Sequence, residues 1–287
     1  MEKKTEDGVQ YHGPEISLAQ WSFHKALQDS SMTHLEFIKT AGSMGFTGVE
    51  YVSSFFKDHV TDTAYLDEMS AIAVASGVKQ LLIMVDGEGY LADTDDLQRK
   101  YAVLNHYKWI DAAARLGCHS IRVNAHGEGS PDEVKEAGVT GLSDLSDYAA
   151  LKNINVIVEN HGGYSSDGMW LTSLIQKVNK PNCGTLPDFG NFCLKRENNE
   201  MWNAPCLEWY DKYKGVSEMM PFAKAVSAKS YDFDENGNET TIDYQKMLQI
   251  VKEAGYDGFI GVEYEGVKLD ETSGIKATKA LIERYWK

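Results

Sequence analysis

Four helical stretches of this chain stop on glycine in the same way: Ser43-Met44-Gly45-Phe46, Ala75-Ser76-Gly77-Val78, Arg115-Leu116-Gly117-Cys118 and Glu253-Ala254-Gly255-Tyr256. A glycine just past the last helical turn accepts the left-handed conformation that ends a helix, and in each case an apolar, β-prone run follows within a few residues. That is the joint from helix to strand in a βα unit. Upstream of the stops, Leu66, Met69 and Ala73, then Leu97, Tyr101 and Leu104, and later Met247, Leu248, Val251 and Ala254 recur at helical spacing.

The apolar runs predict strands over 15–23, 48–55, 79–86, 119–126, 155–161, 184–189, 224–232 and 258–265. Strands alternating with helices imply a parallel sheet, and eight is the number that closes a (βα)8 barrel. The expected fold is therefore α/β, a single TIM barrel over residues 15–287 behind a polar N-terminal tail, 1–14. An open doubly wound sheet is disfavoured, because no G-x-G-x-x-G opens the first helix and because the first and last strands are equally apolar. A weak internal echo, Gly48-Val49-Glu50-Tyr51 against Gly261-Val262-Glu263-Tyr264, ends two strands alike.

Composition matters here for what it excludes. At 287 residues and 43% hydrophobic content the chain can bury a large core. A formal net charge of −15 repels nucleic acid over most of the surface, so the expected partner is a small molecule, with a cation easily accommodated. A homo-oligomer is compatible with this. Cys118, Cys183, Cys193 and Cys206 show no CxxC spacing, so neither a zinc ribbon nor a disulfide framework is signalled and all four read as ordinary thiols. The opening Met1-Glu2-Lys3-Lys4-Thr5-Glu6-Asp7 is polar with no apolar segment behind it. No secretory signal and no membrane partner are expected, and the location expected is cytoplasmic; a leader removed beforehand leaves export as the alternative.

In a barrel the active site is built at the C-terminal strand ends. Here those ends are acidic: Glu50, Asp86, Glu159, Asp188, Asp232 and Glu263. Alternation puts Ile157 and Glu159 on one face of their strand, Leu186 with Asp188, and Glu263 with Gly261, where the missing side chain makes room. On the fourth strand Ile121, Val123 and Ala125 face one way and Arg122, Asn124 and His126 the other, a polar row expected to look into the barrel mouth. Carboxylates converging in low dielectric raise one another's pKa unless a proton or a cation intervenes. A divalent metal resolves the conflict; oxygen-rich ligation favours Mn²⁺ or Mg²⁺, with Zn²⁺ and Co²⁺ as alternatives.

Three motifs in order, Val156 to Gly163 (VIVENHGG), Leu186 to Asn191 (LPDFGN) and Gly261 to Glu265 (GVEYE), make the chain resemble the xylose isomerase-like TIM barrels grouped as sugar phosphate isomerases and epimerases. The resemblance runs from about Ile16 to the last helix. It implies one divalent metal held, as in the ketose 3-epimerases, by Glu, Asp, His and Glu from four strands, with Glu159, Asp188 and Glu263 in three of the places. At the fourth, where the family often reads His-x-Lys, this chain has Ser227-Ala228-Lys229. That departure implies a weaker hold on the metal, an added water, or recruitment of another side chain such as His161. All eight histidines lie at or before residue 161, whereas the endonuclease branch of the fold needs later ones for a multi-zinc site, so DNA repair is not expected.

His126, His161, Lys229, Glu50, Arg122 and His24 are the candidate substrate-binding residues. Each has a plainer alternative: a hydrogen-bonded wall residue for the histidines, a salt-bridge partner for Lys229, a supporting role for Glu50. The connection from Phe192 to Met220 is long and carries Trp202, Trp209, Tyr210 and Tyr213. It reads either as a lid whose aromatic faces stack on sugar C–H groups or as a loop those rings pack down. The function expected is a metal-dependent isomerase or epimerase of a sugar or sugar phosphate, in which Glu159 or Glu263 removes the proton beside a carbonyl through an enediolate. Alternatives are a lyase resembling the inosose dehydratases, which expels a β-hydroxyl from the same enolate, and a non-catalytic sugar-binding barrel. No phosphate-binding loop is apparent.

Overall fold

The computed structural model describes residues 14–286, so the expected polar tail lies, but for Pro14, outside the described residues. Ten strands follow in chain order: β1 (Ile16–Ala19), β2 (Gly48–Val52), β3 (Lys79–Met84), β4 (Ser120–Val123), β5 (Asn155–Glu159), β6 (Cys183–Leu186), β7 (Cys193–Arg196), β8 (Cys206–Trp209), β9 (Val226–Ser230) and β10 (Ile260–Tyr264). Eight of them form one parallel sheet in the order β6-β5-β4-β3-β2-β1-β10-β9, with helices interleaved. The sheet curls into a TIM barrel whose seam lies between β6 and β9. There the contacts are single bridges, Thr185 to Ala223 and Asp188 to Ser227, reinforced by Ser227 N–H donating to Pro187 O at 2.9 Å and Phe189 N–H donating to Ser227 O at 3.1 Å.

The eight strands are where the apolar runs placed them. They are short and nearly continuously buried because both faces are covered, the inner by the opposite side of the barrel and the outer by helices. The helices are bounded by local chemistry. Asp62 and Asp95 each accept two first-turn N–H groups, Ser130 and Glu133 form a reciprocal capping box, and Gly77 and Gly117 close their helices at φ of 69° and 74°.

Two apolar clusters result. The large one fills the space between the outer face of the sheet and the helices. The small one, inside the barrel, is Ala19, Val52, Leu82, Met84, Ile157, Leu186 and Ala225, with Trp21 and Phe55 against it. So little apolar volume on the inner face leaves the rest of the interior to polar and charged side chains.

One helical stripe has an orientation that spacing alone left open, and one expectation needs correction. Leu97, Tyr101 and Leu104 do share one face of the helix Asp96–Leu116, but that face is the outer one, where they are 54–56% exposed. The buried stripe includes Ala102, Val103, His106, Trp109, Ile110, Ala113 and Leu116. Nor are the cysteines all thiols. Cys193 and Cys206 form a disulfide with Cα atoms 5.9 Å apart, while Cys118 and Cys183 are free and buried. Spacing gave no sign of this bond because it depends on β7 and β8 folding back as an antiparallel hairpin, with Arg196 opposite Cys206. Thiol titration in denaturant is expected to find two reactive cysteines before reduction and four after, and four before reduction would remove the bond. Among the described residues no helix is long and apolar enough to cross a membrane.

Candidate metal centre

The charged interior begins low in the barrel. Gly261 on β10 faces Glu50 on β2, and a Cβ there would lie 2.5 Å from Glu50 Oε1, so the glycine is what admits the carboxylate. Ser17 Oγ donates to Glu50 Oε1 at 2.6 Å, while Oε2 has no hydrogen-bond partner. Burial pushes Glu50 up to about 7.

Above it, at the seam, Glu159 ends β5, Asp188 follows β6 and Glu263 lies on β10. All three are buried, and one oxygen of each lies within 4.8 Å of the others. Asp188 is fixed by its own turn: Oδ1 accepts Gly190 and Asn191 N–H at 2.8 Å, and its N–H donates to Asn160 Oδ1 at 2.7 Å. Ser227 Oγ donates to Asp188 Oδ2 at 2.6 Å and lies 3.2 Å from Glu263 Oε2, so the serine joins the two carboxylates directly. Lys229, also buried, places Nζ 3.1 Å from Glu263 Oε1, 3.9 Å from Asp188 Oδ2 and 3.2 Å from Glu265 Oε1. Asn191 bridges the set, donating to Glu159 Oε1 at 3.1 Å and accepting from Lys229 at 3.4 Å.

Burial pushes Glu159 up to about 8, with Asp188 and Glu263 adding to the rise and Arg122 opposing it; burial and Glu263 likewise push Asp188 up to about 6 against the pull of Lys229. Burial draws Lys229 down, but Asp188 and Glu263 outweigh it and hold the ammonium charged.

A second polar cluster adjoins the first on the β4 side. Arg122 Nε lies 2.8 Å from Glu159 Oε2 without an aligned hydrogen bond, and Arg122 Nη1 donates to Asp86 at 2.7 Å. Asn124 Nδ2 also donates to Asp86, at 2.7 Å, which turns Asn124 Oδ1 toward His161 Nδ1, 2.9 Å away. Burial and then Arg122 hold His161 well below its ordinary value, so the ring is neutral. Its Nδ1 carries the proton that Asn124 accepts, and Nε2 is left as a lone pair. His126 Nε2 in turn lies 3.0 Å from His161 O.

The residues present fit a divalent cation. Four buried carboxylates (Glu50, Glu159, Asp188, Glu263) meet two buried cations (Arg122, Lys229), leaving a surplus of two negative charges when all are ionised. Glu159 Oε2 has only the unaligned contact with Arg122 Nε, and the donor set is oxygen, suited to a hard ion.

Other sequence expectations sort less simply. Asp232 does not join the site; its Oδ1 accepts Val267 and Lys268 N–H and builds a turn. His24 lies stacked on Trp21, with Nδ1 2.8 Å from Trp21 O. Of the aromatics in the long connection, Tyr210 donates to Glu218, Tyr213 accepts Asp243 N–H and Trp209 is exposed, whereas Trp202 rests against the His161 ring at 4.5 Å. Sequence reasoning did not single out Asn191 and Glu265 as site residues, though both sit inside the motifs. Trp21 and Phe55, 6.0 Å apart against the barrel interior, carried no local signal as a pair.

Comparison with known proteins matches residues 38–285 to the family described as Xylose isomerase-like TIM barrel. The chain belongs to that family. Among solved structures similar to this xylose isomerase-like barrel is the 3-keto-D-glucoside 4-epimerase of E. coli, 15% identical with a TM-score of 0.69 over 93% of this chain and 98% of that one. An IOLI protein with a bound zinc atom is 13% identical, with a TM-score of 0.72 over 94% and 99%. At such identity the likeness shows the fold alone. The C-glycoside deglycosidase alpha subunit of Arthrobacter globiformis is 39% identical over 63 residues, 22% of this chain and 16% of that protein, so the match spans about a sixth of the curated relative's length.

Proposed function

We propose that this barrel is a divalent-metal-dependent isomerase or epimerase of a carbohydrate, working by proton abstraction beside a carbonyl. The observation that carries the reading is the buried Glu159, Asp188 and Glu263 triad at the C-terminal end of the barrel. A divalent ion held by these three carboxylates would supply the positive charge that polarises the substrate carbonyl and its neighbouring hydroxyl. Glu159 and Glu263 come from separate strands, so a substrate lying between them meets a carboxylate on each face. One removes the proton and the other returns one to the opposite face, which inverts the carbon. Lys229 and Asn191 keep Glu263 and Glu159 in place and present donors to substrate oxygens, and His161 Nε2 accepts from a hydroxyl. Trp21 and Phe55 supply an apolar wall suited to sugar C–H groups.

Turnover in D₂O with candidate ketoses and Mn²⁺ or Mg²⁺ is expected to place deuterium at the carbon beside the carbonyl, read by mass spectrometry. Product free of deuterium under every metal would end this reading. The match to a deglycosidase subunit favours a second one, in which the same carbanion expels a β-substituent; a cleaved or dehydrated keto product would decide for it. The Cys193–Cys206 bond supports an oxidising compartment, and therefore export, over the cytoplasm.

A further inference from the structure

The long connection after β6 is fixed at its root and thinly held beyond it. At the root, Asn191 lies inside the Asp188 turn, and Phe192 and Cys193 are buried. Past Cys193 the chain runs outside the barrel sheet as a hairpin. Among the described residues β7 and β8 pair only with each other, their register slips on both sides of Lys195, and Leu207, Glu208 and Trp209 are exposed. A lone two-stranded hairpin is marginal on its own in water. The Cys193–Cys206 bond, across a separation of 13 residues, removes much of its freedom.

The turn closed by this bond comes back to the carboxylate site. Trp202 lies against His161 with ring centroids 4.5 Å apart, and His161 follows Glu159 by two residues. Gly162 is the seat: its φ of 91° suits glycine, and a Cβ there would stand 3.4 Å from Trp202 Cη2 and 3.6 Å from Met201 Sδ, so the indole lies over bare backbone. Trp202 is 37% exposed, so its ring covers the histidine without being locked into the core.

We propose that the hairpin is a redox-controlled lid: with the Cys193–Cys206 bond intact Trp202 stays seated over His161 at the sugar site, and reduction of the bond releases it. The inference rests on the reading of the carboxylates as a sugar site, and it names a regulation of that site. The reductant is a dithiol. Its two thiols give up two electrons and two protons and close into its own disulfide, while the protein's S–S bond opens to two thiols. The released turn keeps its root at Cys193 and loses the tie that sets Trp202 above His161.

The probe is diethyl pyrocarbonate, which acylates imidazole nitrogen, with each histidine followed by peptide mass spectrometry on the full chain. Dithiothreitol, with iodoacetamide to trap the thiols, is expected to raise the labelling rate of His161 several-fold, and Cys206→Ser to do the same without reductant. His106, buried on the helix Asp96–Leu116, is the internal standard, and its unchanged rate shows that the barrel is intact. Trp202→Ala is expected to raise the rate with the bond in place and to leave reduction little to add, whereas Trp202→Phe keeps most of the protection. In the deuterium-exchange assay, reduction is expected to raise KM several-fold with a smaller change in kcat. Labelling of His161 that ignores reduction, a parallel rise at His106, a full response to reduction in Trp202→Ala, or a KM that reduction does not move overturns the lid. The two readings fail separately. Responsive labelling with no deuterium exchange in either state keeps the lid and removes proton abstraction; exchange with unresponsive labelling does the reverse.

Discussion

Glu159→Gln is expected to lower kcat/KM by roughly 10²–10⁴-fold and to release the divalent ion. The amide keeps the size of the side chain and its place beside Asn191, so packing changes little, but it cannot take up a proton and cannot ionise to offer a cation an anionic oxygen. It also takes from Arg122 one of two close counter-charges, leaving Asp86 at 2.7 Å as the other. Elemental analysis after incubation with Mn²⁺ and dialysis should find about one metal per chain in the parent protein and none in the variant. Equal metal in both would place the ion elsewhere, and full activity in the variant would leave Glu263 as the base.

Lys229→Met is expected to make the stability of the fold depend on metal. The ammonium stands 3.1 Å from Glu263 and 3.9 Å from Asp188 in a buried setting, so without it those two carboxylates face one another with Arg122, on the Glu159 side, as the remaining buried cation. Removing one partner of a buried ion pair costs about 3–5 kcal/mol. For a chain of this size that lowers Tm by roughly 10 °C. Millimolar Mn²⁺ or Mg²⁺ should restore most of the loss in the variant while shifting the parent much less, because ion and ammonium answer the same surplus of charge. A thermal melt of the variant that ignores divalent ions would show that the triad is not where they bind.

Much of this was legible in the chain. The eight strands, the glycine helix stops and the inward direction of Arg122, Glu159 and Glu263 follow from periodicities of two and 3.6 residues, and those depend only on near neighbours. The acidic strand ends could be read off as soon as the barrel was inferred. Period alone leaves a face open: Leu97, Tyr101 and Leu104 keep helical spacing and look outward, while Val103, His106, Trp109 and Ile110 are buried. The reading failed for Asp232, whose strand end was found but whose carboxylate turns to cap a loop.

By itself, then, the sequence determined an α/β barrel with carboxylates at the ends of its strands, because alternation and capping are local and survive without knowledge of the rest of the fold. Only the tertiary structure decided how the charges are shared: Ser227 joining Asp188 to Glu263, Lys229 standing among the acids, and Gly261 opening a place for Glu50. It alone paired Cys193 with Cys206 and set Trp202 against His161. These contacts form across the seam of the barrel, between other strands and loops distant in the chain, or across a hairpin. Their partners are chosen by sheet register and closure, which bring residues from separate strands within a few ångström and so decide which carboxylates must share a cation.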